Sequence, residues 1–315
     1  MLILVTGGAG FIGSHVVRHL REGGHEVRVL DLCIHGPGQD GPDVIKKDVR
    51  DAAAVRAAAR GCEYIVHLAS IAGVSSVGAN PVRTMDVIFN GTRNVLEAAA
   101  KTGAGVLCFS SSEVNGTHVA ATHEDEPTAL PAPENTRWGY GAAKLASEHL
   151  ALAYAEHLGV DAVSFRIFNT YGPHQLGDGA VHNFVRAALR GKPLRICGDG
   201  SAVRTWCYVS DTVRAVEAVI RERRMLAISG HQVFNIGNPH TPVTTRELAR
   251  MVSRAAKAGA HVVEHLPGGT DVRVRIPNIS KAQDILGWNP RVPLEHGLQA
   301  TVEAYRELNL SPGLQ

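Results

Sequence analysis

The sequence predicts an α/β fold, a doubly wound parallel sheet followed by a smaller C-terminal α/β unit, and three observations carry that expectation. Leu2-Ile3-Leu4-Val5 is a continuous apolar run of strand length that stops at a glycine-rich turn, Gly7 to Gly13. Similar runs then alternate with helical patterns as far as Phe168, the pattern of a parallel sheet with crossover helices. Beyond Phe168 the alternation loosens and the strands shorten. Residues 1–168 are therefore expected to form a first domain, completed by about 205–236, with 169–204 and 237–315 forming a second.

The first unit is the most informative. After the glycines, apolar residues recur at helical spacing through Leu20, and the next apolar run, Val27-Arg28-Val29-Leu30, ends on Asp31. An acid about 20 positions past such a turn is what a dinucleotide fold uses to hold a ribose. Gly7 permits the tight turn, Gly10 lacks the Cβ that would block a pyrophosphate, and Gly13 lets the helix lie on the strand. The phosphates would sit on free N–H groups at the helix N-terminus. Asp31 favours a ribose 2'-hydroxyl and repels a 2'-phosphate, so NAD is expected rather than NADP.

After a Gly/Pro-rich loop (Gly36-Pro37-Gly38), Val44 to Asp48 reads as a short strand. Asp48 either meets the adenine edge of the cofactor or caps the helix that begins near Asp51. Glu63 to Ala69 is the next strand, and its small last residues leave room for a pyrophosphate. Residues 81–101 form a long helix containing Asn90, whose amide is expected to satisfy nearby backbone. Gly105 to Phe109 is a strand opening into Ser110-Ser111-Ser112-Glu113, and ligands of parallel sheets bind beyond such C-terminal strand ends. The polar, Pro-rich stretch 117–136 reads as a loop over the site. A helix follows to about His157, with Tyr140 and Lys144 four apart on one face. Beside a dinucleotide motif this pair suits hydride-transfer chemistry, the cation lowering the phenol from its ordinary pKa of about 10. Val160 to Ile167 is a sixth strand. Further on come a helix at 181–190, strands at 194–197 and 203–209, and a helix from Ser210. The strand Val233 to Ile236 returns to the first sheet, and helices near 244–258, 279–286 and 294–308 follow.

Composition narrows the function. The chain has 315 residues, a formal net charge of +2 and 44% hydrophobic residues, which suits a globular protein and argues against nucleic acid as a partner. No apolar stretch approaches a membrane span. Met1 runs straight into the glycine motif, leaving no room for a signal peptide. Five cysteines without a Cys-x-x-Cys pair suggest neither disulfides nor zinc, and the sixteen histidines read mostly as surface or loop residues. A cytoplasmic protein without a metal is expected.

Together, Thr6 to Gly13, Asp31, His67-Leu68-Ala69, Tyr140-x-x-x-Lys144, Arg166 to Pro173, the Arg204 to Asp211 stretch and Leu286-Gly287-Trp288 resemble the extended short-chain dehydrogenase/reductase family of nucleotide-sugar epimerases, dehydratases and decarboxylases. The resemblance covers nearly the whole chain. It implies a Rossmann domain holding NAD through Gly7, Gly10, Phe11, Ile12, Gly13, Asp31, Asp48, Val49, Leu68, Ala69, Tyr140 and Lys144. It also implies a nucleotide-diphosphate sugar, a UDP-sugar above others, held by Ser111, Asn169, Asn183, Arg204 and Arg275. A homodimer built on the helices at 81–101 and 138–157 is implied as well.

Within the family, Ser111-Ser112-Glu113-Val114, Arg137-Trp138-x-Tyr140 and Asp271 to Pro277 are similar to UDP-glucuronate decarboxylases, with Ser111, Ser112, Glu113, Tyr140, Lys144 and Arg275 as the catalytic set. Asn115, where the family usually has Tyr, and Tyr140-Gly141-Ala142-Ala143-Lys144 read more like epimerases and dehydratases. A 4,6-dehydratase or a 4-epimerase is therefore the alternative, and a non-catalytic NAD-binding sensor is the alternative of another class. Each residue has a duller reading: surface ion pairs for Arg204 and Arg275, a turn cap for Asn169, a solvated helix position for Asn183, and a structural acid for Glu113.

Overall fold

A computed structural model describes residues 1–33, 43–117, 122–175, 177–228, 232–258, 263–266 and 272–310. The Gly36 to Gly38 loop and Asp271 lie outside the described residues. Strands β1 (Leu2–Thr6), β2 (Glu26–Asp31), β3 (Val44–Lys46), β4 (Tyr64–His67), β5 (Gly105–Ser111) and β6 (Ala162–Ile167) join the strand Gln232–Ile236 in one sheet. Starting from Gln232–Ile236 the order is β6, β5, β4, β1, β2, β3, and every pairing is parallel. The chain leaves β1 for β2 on one side and later returns to β4 on the other. The crevice where ligands of such sheets bind therefore opens at the C-terminal end of β1.

Helices cover both faces, which is why the strands are apolar without alternation. Successive residues of β1 enter opposite layers: Ile3 and Val5 pack with α1 (Phe11–Glu22), whereas Leu4 joins the layer made by α2 (Ala52–Ala59), α4 (Pro81–Thr102) and α5 (Gly139–Leu158). The short helix α3 (Val74–Ala79), between β4 and α4, was not expected. A separate core is formed by α6 (Ala180–Leu189), α8 (Thr245–Ala255) and α10 (Leu294–Leu310) around Tyr171, Trp206 and the strand Leu194–Cys197.

Several expectations change in detail. The segment Ile279–Trp288, which contains α9 (Ser280–Leu286), packs in the same core as α1 and α7 (Val209–Ile228) rather than with the smaller unit's core. Asp211, wholly buried, fixes it there by pairing with Arg214 and accepting the backbone N–H groups of Arg291 and Val292, while Trp288 donates to its carbonyl. The expected strand 203–209 splits into Val203–Arg204, paired with Val243–Thr244 and Val274–Arg275, and Cys207–Tyr208, paired with Thr170–Tyr171. The amide of Asn90 donates to the Asp86 side chain, not to backbone. Several histidines lie inside: His15, His67 and His182 are buried. His15 and His19 stand four apart on α1, the spacing of a helical metal pair, yet His15 bonds the Pro173 carbonyl and His19 bonds Glu217. Among the described residues no group of three His, Cys, Asp or Glu comes together as a metal site, and no helix is long and apolar enough to cross a membrane.

Candidate active site

The cofactor end is built by close backbone contact. Gly7 has φ +74°, and a Cβ there would stand 2.6 Å from the Ala69 nitrogen; a Cβ on Gly13 would stand 2.1 Å from the Gly7 carbonyl oxygen. Gly10 is different, since its Cβ would meet only the Gly7 oxygen, at 3.2 Å, so packing within the chain does not require a glycine there. Gly10 also caps α1 without any side-chain hydrogen bond, and the first turn carries no acid. This leaves a positive helix end suited to phosphate. Phe11 and Ile12 lie half-buried in that turn, and Leu68 continues the sheet by donating its N–H to the Thr6 carbonyl.

Asp31 accepts the Ala9 N–H at 2.9 Å and the Cys33 N–H at 3.0 Å. A carboxylate has about four acceptor positions, so Asp31 braces the turn and still has capacity for a ribose. Asp48 is not the cap of α2: Asp51 is, accepting from Ala53 and Ala54. Asp48 is instead bound by the Arg50 guanidinium, which holds its carboxyl below the usual range and also pairs with Asp86 at 2.7 Å. Val49 offers the cofactor no side chain, because it is buried against Gly91 and its carbonyl accepts from Asn94. With Val49's side chain excepted, the turn, the bare helix end and the acid fit a dinucleotide.

The chemical end lies where β5 stops. Ser111 caps the tight turn Ser112–Asn115 by accepting the Glu113 N–H at 3.2 Å. Gly141 lets α5 come against that turn, since a Cβ would stand 2.9 Å from the Glu113 carbonyl oxygen. Tyr140 thus reaches Ser111 and Ser70 with its hydroxyl. Burial pushes the phenol up to about 12, the two serines pull it back, and the Glu113 charge adds to the rise. Lys144 does not bond the phenol. Its ammonium donates to the Phe109 carbonyl at 2.6 Å and lies 5.9 Å from the centre of the Tyr140 ring, and burial pushes it down to about 8. The phenol thus moves opposite to the lowering expected from the cation, with burial as the largest cause.

Glu113, about one-third exposed, lies between two guanidinium groups: Arg275 at 3.2 Å and Arg137 at 3.7 Å. Arg275 is buried rather than on the surface, and donates to the carbonyls of Ser112 at 2.7 Å and Gly116 at 2.8 Å. Arg204 stands beside it on the neighbouring strand and bonds the Val203 and Val272 carbonyls. Burial, then the charge of Arg275, pushes Arg204 down to about 10. Ser112 is buried under Arg275. Asn169, at φ +37°, uses its amide to hold the Thr205 carbonyl on a distant segment. Asn183 is exposed on α6. The described part of the expected covering loop is tied down, with Glu124 accepting the Asn235 N–H at 2.7 Å and its carbonyl accepting from Arg166.

The NAD dependent epimerase/dehydratase family matches residues 3–237. The chain belongs to that family. It is 36% identical over 321 residues to UDP-glucuronic acid decarboxylase 6 of Arabidopsis thaliana, covering 97% of this chain and 89% of the relative. Among solved structures, UDP-glucose 4-epimerase of Thermotoga maritima with UDP-glucose superposes with a TM-score of 0.88 at 32% identity, covering 98% of this chain and 100% of the other. MoeE5 in complex with UDP-glucuronic acid and NAD gives a TM-score of 0.87 at 30% identity, covering 98% and 100%.

Some side chains around Tyr140 and Glu113 were given no side-chain role in the sequence reading. Ser70 carried a signal, its place at the C-terminal end of a strand beside the glycine turn. Arg137 stood in a motif without a role. The buried pair Arg166–Glu148, at 2.8 Å with Ser110 donating to the same carboxylate, was not legible as a pair, because its members come from β5, β6 and α5.

Proposed function

We propose that the protein is an NAD-dependent decarboxylase of a UDP-hexuronic acid, with UDP-glucuronate as the first candidate. The observation that carries this reading is the grouping beside Tyr140: Glu113 paired with Arg275, and a serine, Ser112, where a dehydrating site would want a second acid. Departure of a C6 hydroxyl as water needs a proton donor, whereas carbon dioxide needs none. The sequence relatives named UDP-glucuronic acid decarboxylase support the same choice.

Tyr140 takes the proton of the sugar 4-hydroxyl, and Ser111 holds that hydroxyl in line. When bound, NAD supplies the hydride acceptor for C4 and afterwards the donor. The resulting 4-ketone makes the C6 carboxylate part of a β-keto acid, and the C5–C6 bond breaks with its electron pair passing into the enolate. Arg275 and Ser112 hold the turn that carries Glu113, which directs the proton returned to C5. Arg204 faces the diphosphate, with Asn169 and Asn183 at the edge of the sugar site. Gly7, Gly10, Gly13, Asp31 and Ala69 receive the dinucleotide, and the smaller C-terminal unit receives the nucleotide. The protein works in the cytoplasm as a homodimer joined through α4 and α5, where Val82, Met85 and Phe89 form an exposed apolar row.

A second reading, 4-epimerisation, is favoured by the superposition on the Thermotoga maritima enzyme. Incubation with UDP-glucuronate, UDP-glucose and dTDP-glucose, followed by mass spectrometry, decides between them. Loss of carbon dioxide from UDP-glucuronate is expected. An unchanged mass with inverted C4 stereochemistry would make the protein an epimerase, and loss of water from a neutral hexose would make it a dehydratase. No change in any sugar would leave an NAD-binding sensor.

A further inference from the structure

Arg275, which the family resemblance places in both the catalytic and the sugar-holding set, has both terminal nitrogens engaged with the Ser112 and Gly116 carbonyls, and one of them also meets Glu113. It acts as a brace inside the protein. Two buried donors beside it lack a partner among the described residues, Nε1 of Trp138 and one nitrogen of Arg137, and only the second carries charge. Nη1 of Arg137 is buried and has no hydrogen-bond partner, while Nη2 of the same group lies 3.7 Å from the Glu113 carboxylate. The guanidinium carbon lies over the Trp138 ring, 4.6 Å from its centre, a cation–π contact that helps hold the group in place. A buried donor left unpaired is costly, and such atoms in native proteins ordinarily meet a partner that the bare chain does not supply.

Resting on the decarboxylase reading above, we infer that Arg137 is the specificity residue that recognises the C6 carboxylate of the sugar. Its place in the fold selects that group over the diphosphate. Arg137 precedes Tyr140 by three residues, one helical turn from the group that acts at C4, and C6 is separated from C4 by C5 alone. The diphosphate hangs from C1, across the ring. Charge leads to the same assignment. Glu113 and a substrate carboxylate repel each other, and Arg275 provides one positive charge between them; a second guanidinium balances the pair. Glu113 thereby holds Arg137 in position before substrate arrives, and the carboxylate fills the vacant side of its fork.

The test is calorimetric titration of the NAD-loaded protein in a Tyr140→Phe background, which halts turnover, with UDP, UDP-glucose and UDP-glucuronate. The parent should bind UDP-glucuronate more tightly than UDP-glucose. Adding Arg137→Gln should weaken UDP-glucuronate by about 10- to 100-fold, the loss of a charge-assisted contact, and leave UDP and UDP-glucose within about twofold. Arg137→Lys, which keeps the charge without the fork, should recover part of the loss, and melting temperatures show that both variants fold. If the parent itself does not distinguish the two sugars, the hexuronate reading fails and this inference with it. If the parent distinguishes them and Arg137→Gln still does, the inference alone is overturned. An equal weakening of all three ligands also overturns it, making Arg137 a diphosphate or structural group.

Discussion

At the scale of single residues, the site is defined by what burial does to two titratable groups. Tyr140 and Lys144 would ordinarily titrate close together, but in the folded chain the phenol stands at about 12 and the ammonium at about 8. Without dinucleotide, rising pH therefore discharges Lys144 before Tyr140. Tyr140→Phe is expected to keep the fold and dinucleotide binding yet abolish sugar oxidation, read as missing NADH absorbance after substrate is added; undiminished turnover would assign the base elsewhere. The sign for Lys144 follows from its lowered pKa. Its burial penalty is absent above about 10.5, grows as pH falls from there to about 8, where only the unfolded chain holds the proton, and is constant below about 8. Lys144→Met should then be more stable than wild type below pH 8, by up to about 3 kcal/mol as an order of magnitude, with the gap closing towards pH 10.5. Urea unfolding across that range measures it, and a gap independent of pH would contradict a buried ammonium.

At the scale of elements, the turn between β1 and α1 separates two kinds of glycine. A Cβ on Gly13 would collide with the backbone of Gly7 and Gly8, whereas one on Gly10 would touch only the Gly7 oxygen, and at 3.2 Å. Gly13→Ala should therefore cost stability, about 1–3 kcal/mol or more, along with dinucleotide affinity. Gly10→Ala should leave the melting temperature nearly unchanged and weaken dinucleotide binding by an order of magnitude or more. Parallel thermal melts and NAD titrations of the two variants provide the comparison, and equal loss of stability in both would show that Gly10 is also a packing glycine. The turn after β5 works by the same close approach, with Gly141 bringing α5 onto Glu113.

At the scale of the whole molecule, α4 and α5 pack on each other and leave apolar side chains outward. Val82 is 82% exposed, Met85 44% and Phe89 37%, spaced to lie on one side of α4. Such a row suits a contact with a second copy. The double variant Met85→Glu/Phe89→Glu should sediment as a monomer where the parent sediments as a dimer, with little change in monomer folding because neither side chain is in the core. A parent that sediments as a monomer would remove α4 and α5 as the joint.

The sequence alone determined the dinucleotide half, since its signals are local. Strand, glycine turn, helix and Asp31 lie within the first 31 residues, and their meaning depends on backbone sterics over a few positions. The Tyr140–Lys144 pair was legible for the same reason, being one helical turn. Only the tertiary structure decided which side chains gather around the Glu113 turn. Arg275 meets the Ser112 carbonyl across 163 residues of chain, and Arg204 reaches its flank through a strand pairing of two residues. No periodicity encodes such meetings. The segment Ile279–Trp288 belongs to the first core because buried Asp211 gathers the backbone beyond Trp288. The direction of the Tyr140 shift was likewise beyond the sequence: spacing places a cation near a phenol, but the depth of burial determines which of the two effects is larger.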